Sequence, residues 1–324
     1  MNVLSLFDGM SCGQIALNRA GIRYENYFAS EIDKWAINET MANFSNTIQL
    51  GDIKKWREWN IDFSKINLLI AGFPCQSWSI AGKMSGVNDS RGRLMFDMMD
   101  IYNHIKSLNP KIKFLFENVK MKKQFQEYVD AIIGVKSIFI NSKLVSAQHR
   151  NRQYWTNIEN VQLPKDKNIY LNDILEIDIE NGLDVIFKDG EFISYAKNGK
   201  KIILSEDSKP PYTIYETRSE FGKKERSRLR KLLGRDTTPR SKEHKEYRPL
   251  SSGKSNCILT SINDLDYIID KNLKFRSYTI NELCRLQTVP DDYFKVSSDT
   301  QIRKMLGNGW TVDVIAHIFK NLQH

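Results

Sequence analysis

Short apolar runs, each closed by a small or acidic residue, recur through the first half of the chain. Val3 to Phe7 is the first, and Tyr27-Phe28-Ala29-Ser30 the second. Ile48-Gln49-Leu50-Gly51 is the third, Ile66 to Ala71 the fourth and Lys113 to Phe116 the fifth. Runs of this length with turn residues behind them read as buried strands. Helical spacing fills gaps between them: Gln14 to Arg19, then Leu94, Met98, Ile101 and Ile105, then residues 121–133. Ser137 to Val145 alternates as a strand, and Tyr154 to Ile158 reads as another. Strands alternating with helices predict an α/β fold built on an open sheet.

From about residue 160 the pattern changes. Elements shorten and charge rises. Lys223 to Leu233 reads as a basic helix, and Thr237 to Ser252 as loop. Ordinary globular sequence returns near the end. Thr279 and Glu282 stand three apart, as in a capping box, and Pro290 is expected to end the helix they open. Val314 to Leu322 reads as a final amphipathic helix, preceded by Gly307-Asn308-Gly309-Trp310-Thr311-Val312. The pattern predicts a large domain from 1–160 and 273–324, with a smaller domain at 161–272 inserted between them.

Composition sharpens this division. The 324 residues carry a net charge of +9. Residues 221–254 hold twelve Lys and Arg against four Asp and Glu, so a stretch of 34 residues carries a net +8. Such a concentration suits a polyanion, nucleic acid above all. The four cysteines, Cys12, Cys75, Cys257 and Cys284, are far apart with no C-x-x-C pair. This speaks against a disulfide framework and a zinc cluster, and no metal is expected. Cys257 and Cys284 lie in apolar contexts and are expected in the core. The N-terminus runs straight into a strand with no secretory pattern, and no apolar run approaches 18 residues.

The ends of the predicted strands carry the chemistry. After the first comes Asp8-Gly9-Met10-Ser11-Cys12-Gly13 and then a helix, the layout of a nucleotide-type cofactor site. Tight strand-to-helix turns need glycine for structural reasons alone, so the turn counts only with its companions. Glu31 follows the second strand, where a carboxylate suits ribose hydroxyls. Asp52-Ile53 follows the third, where an acid and an apolar side chain suit adenine. The fourth strand runs into Gly72-Phe73-Pro74-Cys75-Gln76-Ser77-Trp78-Ser79, which places a thiol just past a strand's carboxyl end. A lone cysteine is ordinarily packing. The stretch from Gly72 to Arg93 has no periodicity, and loops of that length are uncommon unless functional. Its Gly82, Gly86 and Gly92, with Lys83, Arg91 and Arg93, suit a lid closing on a phosphate backbone. The fifth strand ends at Glu117-Asn118-Val119. Arg150 and Arg152, two apart in Gln148-His149-Arg150-Asn151-Arg152, would point to one face of an extended segment.

Taken together, these blocks resemble those of the DNA cytosine-5 methyltransferases. The blocks are Gly72-Phe73-Pro74-Cys75-Gln76 with Gly82-Lys83 and Asp89-Ser90-Arg91-Gly92, then Glu117-Asn118-Val119, Gln148-x-Arg150-x-Arg152, and Arg285-Leu286-Gln287 with Pro290. The likeness covers residues 3–158 and about 275–322, in the family's order. Leu4 to Gly9, Ala29-Ser30-Glu31 and Ser146 to Arg150 also resemble the vertebrate de novo subgroup. No chromatin-reading domain precedes the catalytic part, so a bacterial or phage type is expected.

The resemblance implies a Rossmann-like, S-adenosylmethionine-dependent methyltransferase fold with a target-recognition domain at 161–272. It implies S-adenosyl-L-methionine as cofactor, with Phe7, Asp8, Gly9 and Met10 at its first turn. Glu31 and Ile32 would meet the ribose side, Asp52 and Ile53 the adenine, and Pro74, Leu94, Asn308 and Trp310 would complete the pocket. Ser11 and Cys12 depart from the glycines many members carry; both are small, so the turn is expected to form. Cys75 would be the nucleophile, Glu117 would face cytosine N3, and Arg150 and Arg152 would hold the base carbonyl and orient Glu117 or Cys75. Ser79 and Arg91 on the lid, and Arg218, Arg226, Arg228, Arg230 and Arg240 in the basic region, would contact double-stranded DNA. Ser255 to Thr260 resembles the segment that closes the recognition domain. The family likeness further implies a monomer in the cytoplasm, at the nucleoid, with room for a separately encoded restriction endonuclease. A tRNA methyltransferase of this fold is the rival, but it would carry Pro-Pro-Cys and a Cys-Phe-Thr insert, and this chain has neither. A catalytically dead DNA-binding regulator would have lost Cys75, Glu117 or an arginine, and all are present.

Overall fold

The structure is a computed structural model that describes residues 1–74, 93–177, 179, 182–184, 186–188, 191–195, 201–204, 211–233, 245–250, 253–259 and 267–323. A seven-stranded sheet forms its centre. Its strands are β1 (Asn2–Leu6), β2 (Asn26–Ser30), β3 (Ile48–Gln49), β4 (Ile66–Gly72), β5 (Lys113–Val119), β6 (Ile138–Asn141) and β7 (Asn151–Thr156). Their order is β3-β2-β1-β4-β5-β7-β6, with β1 to β5 parallel and β7 antiparallel to both neighbours. The chain winds outward from β1 to β3, then returns to β4 on the other side of β1. That reversal opens a crevice at the carboxyl ends of β1 and β4, where sheets of this kind hold ligands.

Both faces of the sheet are covered, which is why its strands read as continuous apolar runs. Val3, Leu68 and Ile70 join one core with helix α1 (Cys12–Arg19). Leu4, Leu6, Leu69 and Ala71 join the other. Helix α2 (Lys34–Asn43) follows β2. Helix α3 (Leu94–Leu108) buries Met95, Met98, Ile101 and Ile105 in the second core, and α4 (Lys123–Ile133) adds Val129 and Ile133. Gly13 lets α1 sit against the sheet, since a Cβ there would lie 2.4 Å from Ile70 Cδ1 and 2.6 Å from the Tyr27 hydroxyl.

After the short α5 (Leu171–Ile174) the chain enters a second layer of antiparallel strands. Its strands are β8 (Leu183–Asp184), β9 (Ile186–Lys188), β10 (Glu191–Tyr195), β11 (Lys201–Leu204) and β12 (Tyr212–Arg218). Helix α6 (Glu220–Leu233) and strands β13 (Lys245–Leu250), β14 (Tyr267–Ile269) and β15 (Lys274–Ser277) follow. They make a three-stranded sheet, β11-β10-β9, and a five-stranded one, β13-β12-β14-β15-β8. The five-stranded sheet runs to Ser277, past the boundary expected at 272. Helices α7 (Ile280–Leu286), α8 (Asp299–Asn308) and α9 (Val312–Phe319) then return to the large sheet. Arg19 of α1 bonds Asp313 of α9 at 2.6 Å.

Several expectations need correction. Residues 245–250 are a strand and not loop; charge and Pro249 hid the alternation, and β13 tolerates proline because it forms the sheet's edge. The strand expected over Ser137 to Val145 stops at Asn141, whose side chain accepts from the Lys143 N–H and starts a 3₁₀ turn. Helix α7 has the expected box at Thr279 and Glu282 but ends at Leu286, before Pro290. Thr288, at φ 54°, already turns the chain away. The final helix ends at Phe319 and continues only as a 3₁₀ turn, Lys320–Gln323. Among the described residues no helix is long and apolar enough to cross a membrane, and no cluster of side chains could hold a metal.

Candidate active site

The carboxyl edge of the sheet gathers the polar side chains. Glu117 lies in β5, opposite Gly72 of β4 and Tyr154 of β7. It is only 8% exposed. Arg152, two positions along β7, sets its Nε 3.0 Å from Glu117 Oε1. Trp310 donates from Nε1 to Glu117 Oε2 at 3.0 Å. The carboxylate is therefore gripped on both oxygens. Asn118 donates to the Phe73 carbonyl at 3.1 Å and ties this edge to the segment leading into Pro74. Cys75, Ser79, Arg91 and Arg240 lie outside the described residues.

Glycine is required at position 72. A Cβ there would stand 2.8 Å from Trp310 Nε1 and 3.2 Å from Glu117 Oε2. Gly72→Ala is expected to push the indole off Glu117 and lower stability by about 1–3 kcal/mol, the usual cost of overpacking. Thermal unfolding followed by tryptophan fluorescence checks this; an unchanged midpoint would mean that Trp310 gives way freely.

Arg150 and Arg152 do share one face, and both reach Cys257. Arg150 Nη1 lies 3.0 Å from Cys257 Sγ and Arg152 Nη2 lies 3.7 Å from it. Arg150 is buried, and its other bonds among the described residues go to the carbonyls of Ile258, Gly307 and Gly309. Arg152 is thus the arginine on Glu117, while Arg150 clamps the segment that presents Trp310. Cys257 is half-buried against two cations and does not belong to the apolar core where it was expected. Burial would raise its thiol pKa, but the charges of Arg150 and Arg152 outweigh that and hold it below the usual thiol range. Burial dominates at the core thiols Cys12 and Cys284 and pushes both up to about 12, with the nearby Asp8 and Asp291 carboxylates adding to it.

The other side of the crevice is built from the turn after β1. Phe7, Gly9 and Ser11 all take the left-handed conformation, at φ 56°, 58° and 59°. Ser11 holds it without glycine, a strain on the order of 1 kcal/mol, and its hydroxyl accepts from Gln14 Nε2 at 2.9 Å. Asp8 donates its N–H to Ser30 O at 3.1 Å and joins the ends of β1 and β2. Tyr27 donates its hydroxyl to Asp8 Oδ1 at 2.8 Å, while Oδ2 is sealed from solvent and has no hydrogen-bond partner among the described residues. Burial therefore pushes Asp8 up to about 6, and the hydroxyls of Ser5, Tyr27 and Ser11 only partly offset it.

Glu31 accepts from Gly9 N–H on one oxygen and from the N–H groups of Ile32 and Asp33 on the other, each at 2.8 Å. Ile32 stands 74% exposed beside it. A Cβ on Gly9 would meet nothing within 4 Å, so open space adjoins the turn. Asp52 accepts from the Lys54 N–H at 3.0 Å, and Ile53 and Met10 are buried in the floor. Pro74, Leu94 and Trp310 are half-buried, and Asn308 is exposed. An orphaned carboxylate oxygen, two more acids and a bare apolar side chain beside open space fit a ligand that carries a cation, hydroxyls and a flat ring.

Comparison with known proteins decides the family. The sequence model of the C-5 cytosine-specific DNA methylase family matches residues 1–324. The chain belongs to that family. The type II methyltransferase M.NgoBI of Neisseria gonorrhoeae is 28% identical over 316 residues, 96% of this chain and 90% of that relative. The orphan methyltransferase M.Rho11sI of Bacillus phage rho11s is 40% identical over 125 residues, which span 37% of this chain and 23% of that relative's length. A putative DNA modification methyltransferase encoded within an Escherichia coli prophage has the same fold over all of this chain and 98% of its own, with a TM-score of 0.62 at 19% identity.

Within this family member the basic residues have mixed surroundings. Lys223, Arg226, Ser227, Arg230 and Lys231 line a recess along one face of α6. Arg228 lies in the same helix but is tied to Glu225, with nitrogen-to-oxygen distances of 2.9 and 2.6 Å. Arg218 closes β12. Lys254, counted in the basic stretch, is buried and donates to the carbonyls of Lys143, Ser146 and Ile169. Its charge fastens the small unit to the large one. Neither the Trp310–Glu117 bond nor the Cys257 contacts could be read from spacing, because each joins segments more than 100 residues apart.

Proposed function

We propose that this chain transfers a methyl group from S-adenosyl-L-methionine to C5 of cytosine in a specific double-stranded DNA sequence. The observation that carries the reading is the buried Glu117, held by Arg152 and Trp310 beside the strand that leads into Pro74-Cys75. Cytosine C5 is a poor nucleophile. Addition of the Cys75 thiolate to C6 converts the ring to an enamine, and C5 can then form the new carbon–carbon bond. Glu117 meets N3 and offsets the charge arriving there. Arg152 keeps Glu117 in place, and Arg150 holds the loop that presents Trp310. Loss of the C5 proton to a base and elimination of the thiolate from C6 release the methylated base. The target base must leave the stack to reach this edge.

S-adenosyl-L-methionine would supply an electrophilic methyl group when bound, its sulfonium S–C bond breaking as the carbon–carbon bond forms and S-adenosylhomocysteine leaving. Phe7, Asp8, Gly9, Met10, Glu31, Ile32, Asp52, Ile53, Pro74, Leu94, Asn308 and Trp310 are the proposed surroundings of that cofactor, with the lone Asp8 Oδ2 suited to its ammonium group. Residues 161–272 are the proposed target-recognition domain. Ser79, Arg91, Arg218, Arg226, Arg228, Arg230 and Arg240 are its proposed DNA contacts together with the lid; of those on α6, Arg226 and Arg230 line the recess along one face of the helix. A monomer acting in the cytoplasm at the nucleoid, with a separately encoded restriction endonuclease, completes the proposal.

The test is methyl transfer from labelled S-adenosylmethionine to genomic DNA and to bulk tRNA, followed by base analysis. The expected product is 5-methylcytosine in DNA. Label confined to tRNA would make the basic unit an RNA reader, and DNA binding without label would leave an inactive regulator.

A further inference from the structure

The segment that closes the small unit meets the large one in a single parallel β-bridge, Ser255 to Gln148. Ser255 N–H donates to Ala147 O at 2.6 Å, His149 N–H donates to Ser255 O at 2.7 Å, and Ile258 N–H donates to Gln148 Oε1 at 3.3 Å. This lays Cys257 beside the two arginines. Every nitrogen of the Arg152 guanidinium then has a partner: Nε on Glu117, Nη1 on Asn151 O at 2.9 Å, and Nη2 on Cys257 Sγ. Arg150 has three carbonyls besides the sulfur, so it would survive the loss of Cys257. Among the described residues Arg152 would keep one partner other than Glu117, Asn151 O. A core thiol would have apolar neighbours, and this one has cations.

We propose that Cys257 is a positioning residue: its sulfur fixes the far end of Arg152, so that Nε stays on Glu117, and thereby couples the recognition unit's closing segment to that carboxylate. The activity arm of the test rests on the methyl-transfer reading. Cys257→Ala is expected to lower kcat about tenfold or more with KM for the cofactor unchanged, because Glu117 loses its fixed orientation. Cys257→Ser is expected to restore much of kcat, since a hydroxyl oxygen accepts the same N–H. A wild-type kcat in Cys257→Ala would overturn the proposal.

The second arm needs no turnover. Iodoacetamide labelling of the wild-type chain against pH, read by mass spectrometry on the tryptic peptide 255–271, is compared with Arg152→Gln. Labelling should begin at lower pH in the wild type, because Arg152 stabilises the thiolate. Coincident profiles would overturn the contact. If the wild-type chain methylates neither DNA nor RNA, the functional reading fails, and the labelling comparison alone decides for or against the Cys257–Arg152 link.

Discussion

Cys75→Ala is expected to bring methyl transfer to background while DNA is still bound. The reaction proposed here begins with a sulfur–carbon bond, and no other group in the Gly72 to Ser79 stretch can supply that nucleophile at neutral pH. Removing the nucleophile from a catalytic set typically costs about a million-fold. Binding rests on basic residues elsewhere, so retention of labelled duplex should persist with its salt dependence intact. The check pairs single-turnover methyl transfer with a binding isotherm for the same variant. Normal transfer by Cys75→Ala would remove the covalent step from the mechanism.

Glu117→Gln carries the second-largest expected effect. Glutamine keeps the shape, and its amide oxygen can still accept from Trp310. It cannot pair with Arg152 as a carboxylate, and it cannot take part in proton sharing with cytosine N3. General acid–base groups contribute about 10²- to 10⁴-fold, so kcat is expected to fall within that range. Stability should fall as well. Arg152 and Glu117 side chains are only 14% and 10% exposed, and breaking a buried pair costs about 3 kcal/mol. Arg152 keeps Asn151 O and Cys257 as partners, which places the loss at the lower end of the usual range. Turnover and thermal unfolding are measured on one preparation. A drop in stability with unchanged turnover would make Glu117 a structural anchor only.

The large sheet was legible because burial on both faces leaves continuous apolar runs in β1, β4 and β5, and because the ends of β1, β2, β3 and β4 are punctuated by Gly9, Glu31, Asp52 and Gly72. The i, i+2 spacing of Arg150 and Arg152 correctly put them on one face. What spacing could not say is which target each would find. Arg150 turns out to satisfy carbonyls at 258, 307 and 309, and those partners exist only once the C-terminal helices are in place. The small unit was less legible. Strand β13 is masked by lysine, glutamate and arginine, residues that an edge strand carries to discourage further pairing. Lys254 sat in a run of surface cations, yet its ammonium is enclosed by carbonyl oxygens. Cys257 looked apolar from its neighbours Ile258 and Leu259, whereas its sulfur faces guanidinium groups.

The Arg150 clamp also bears on how the chain is made. A ribosome delivers the first 160 residues long before Gly307 and Gly309 appear. Until then a guanidinium destined for a sealed interior has none of its C-terminal acceptors, and burying it unpaired is costly. Helix α1 likewise waits for α9 to cover it. Closure across such a span is slow, since long loops must form before their contacts repay them. The nascent N-terminal half should therefore stay loosely assembled until synthesis ends, and a partly translated chain would present no finished crevice.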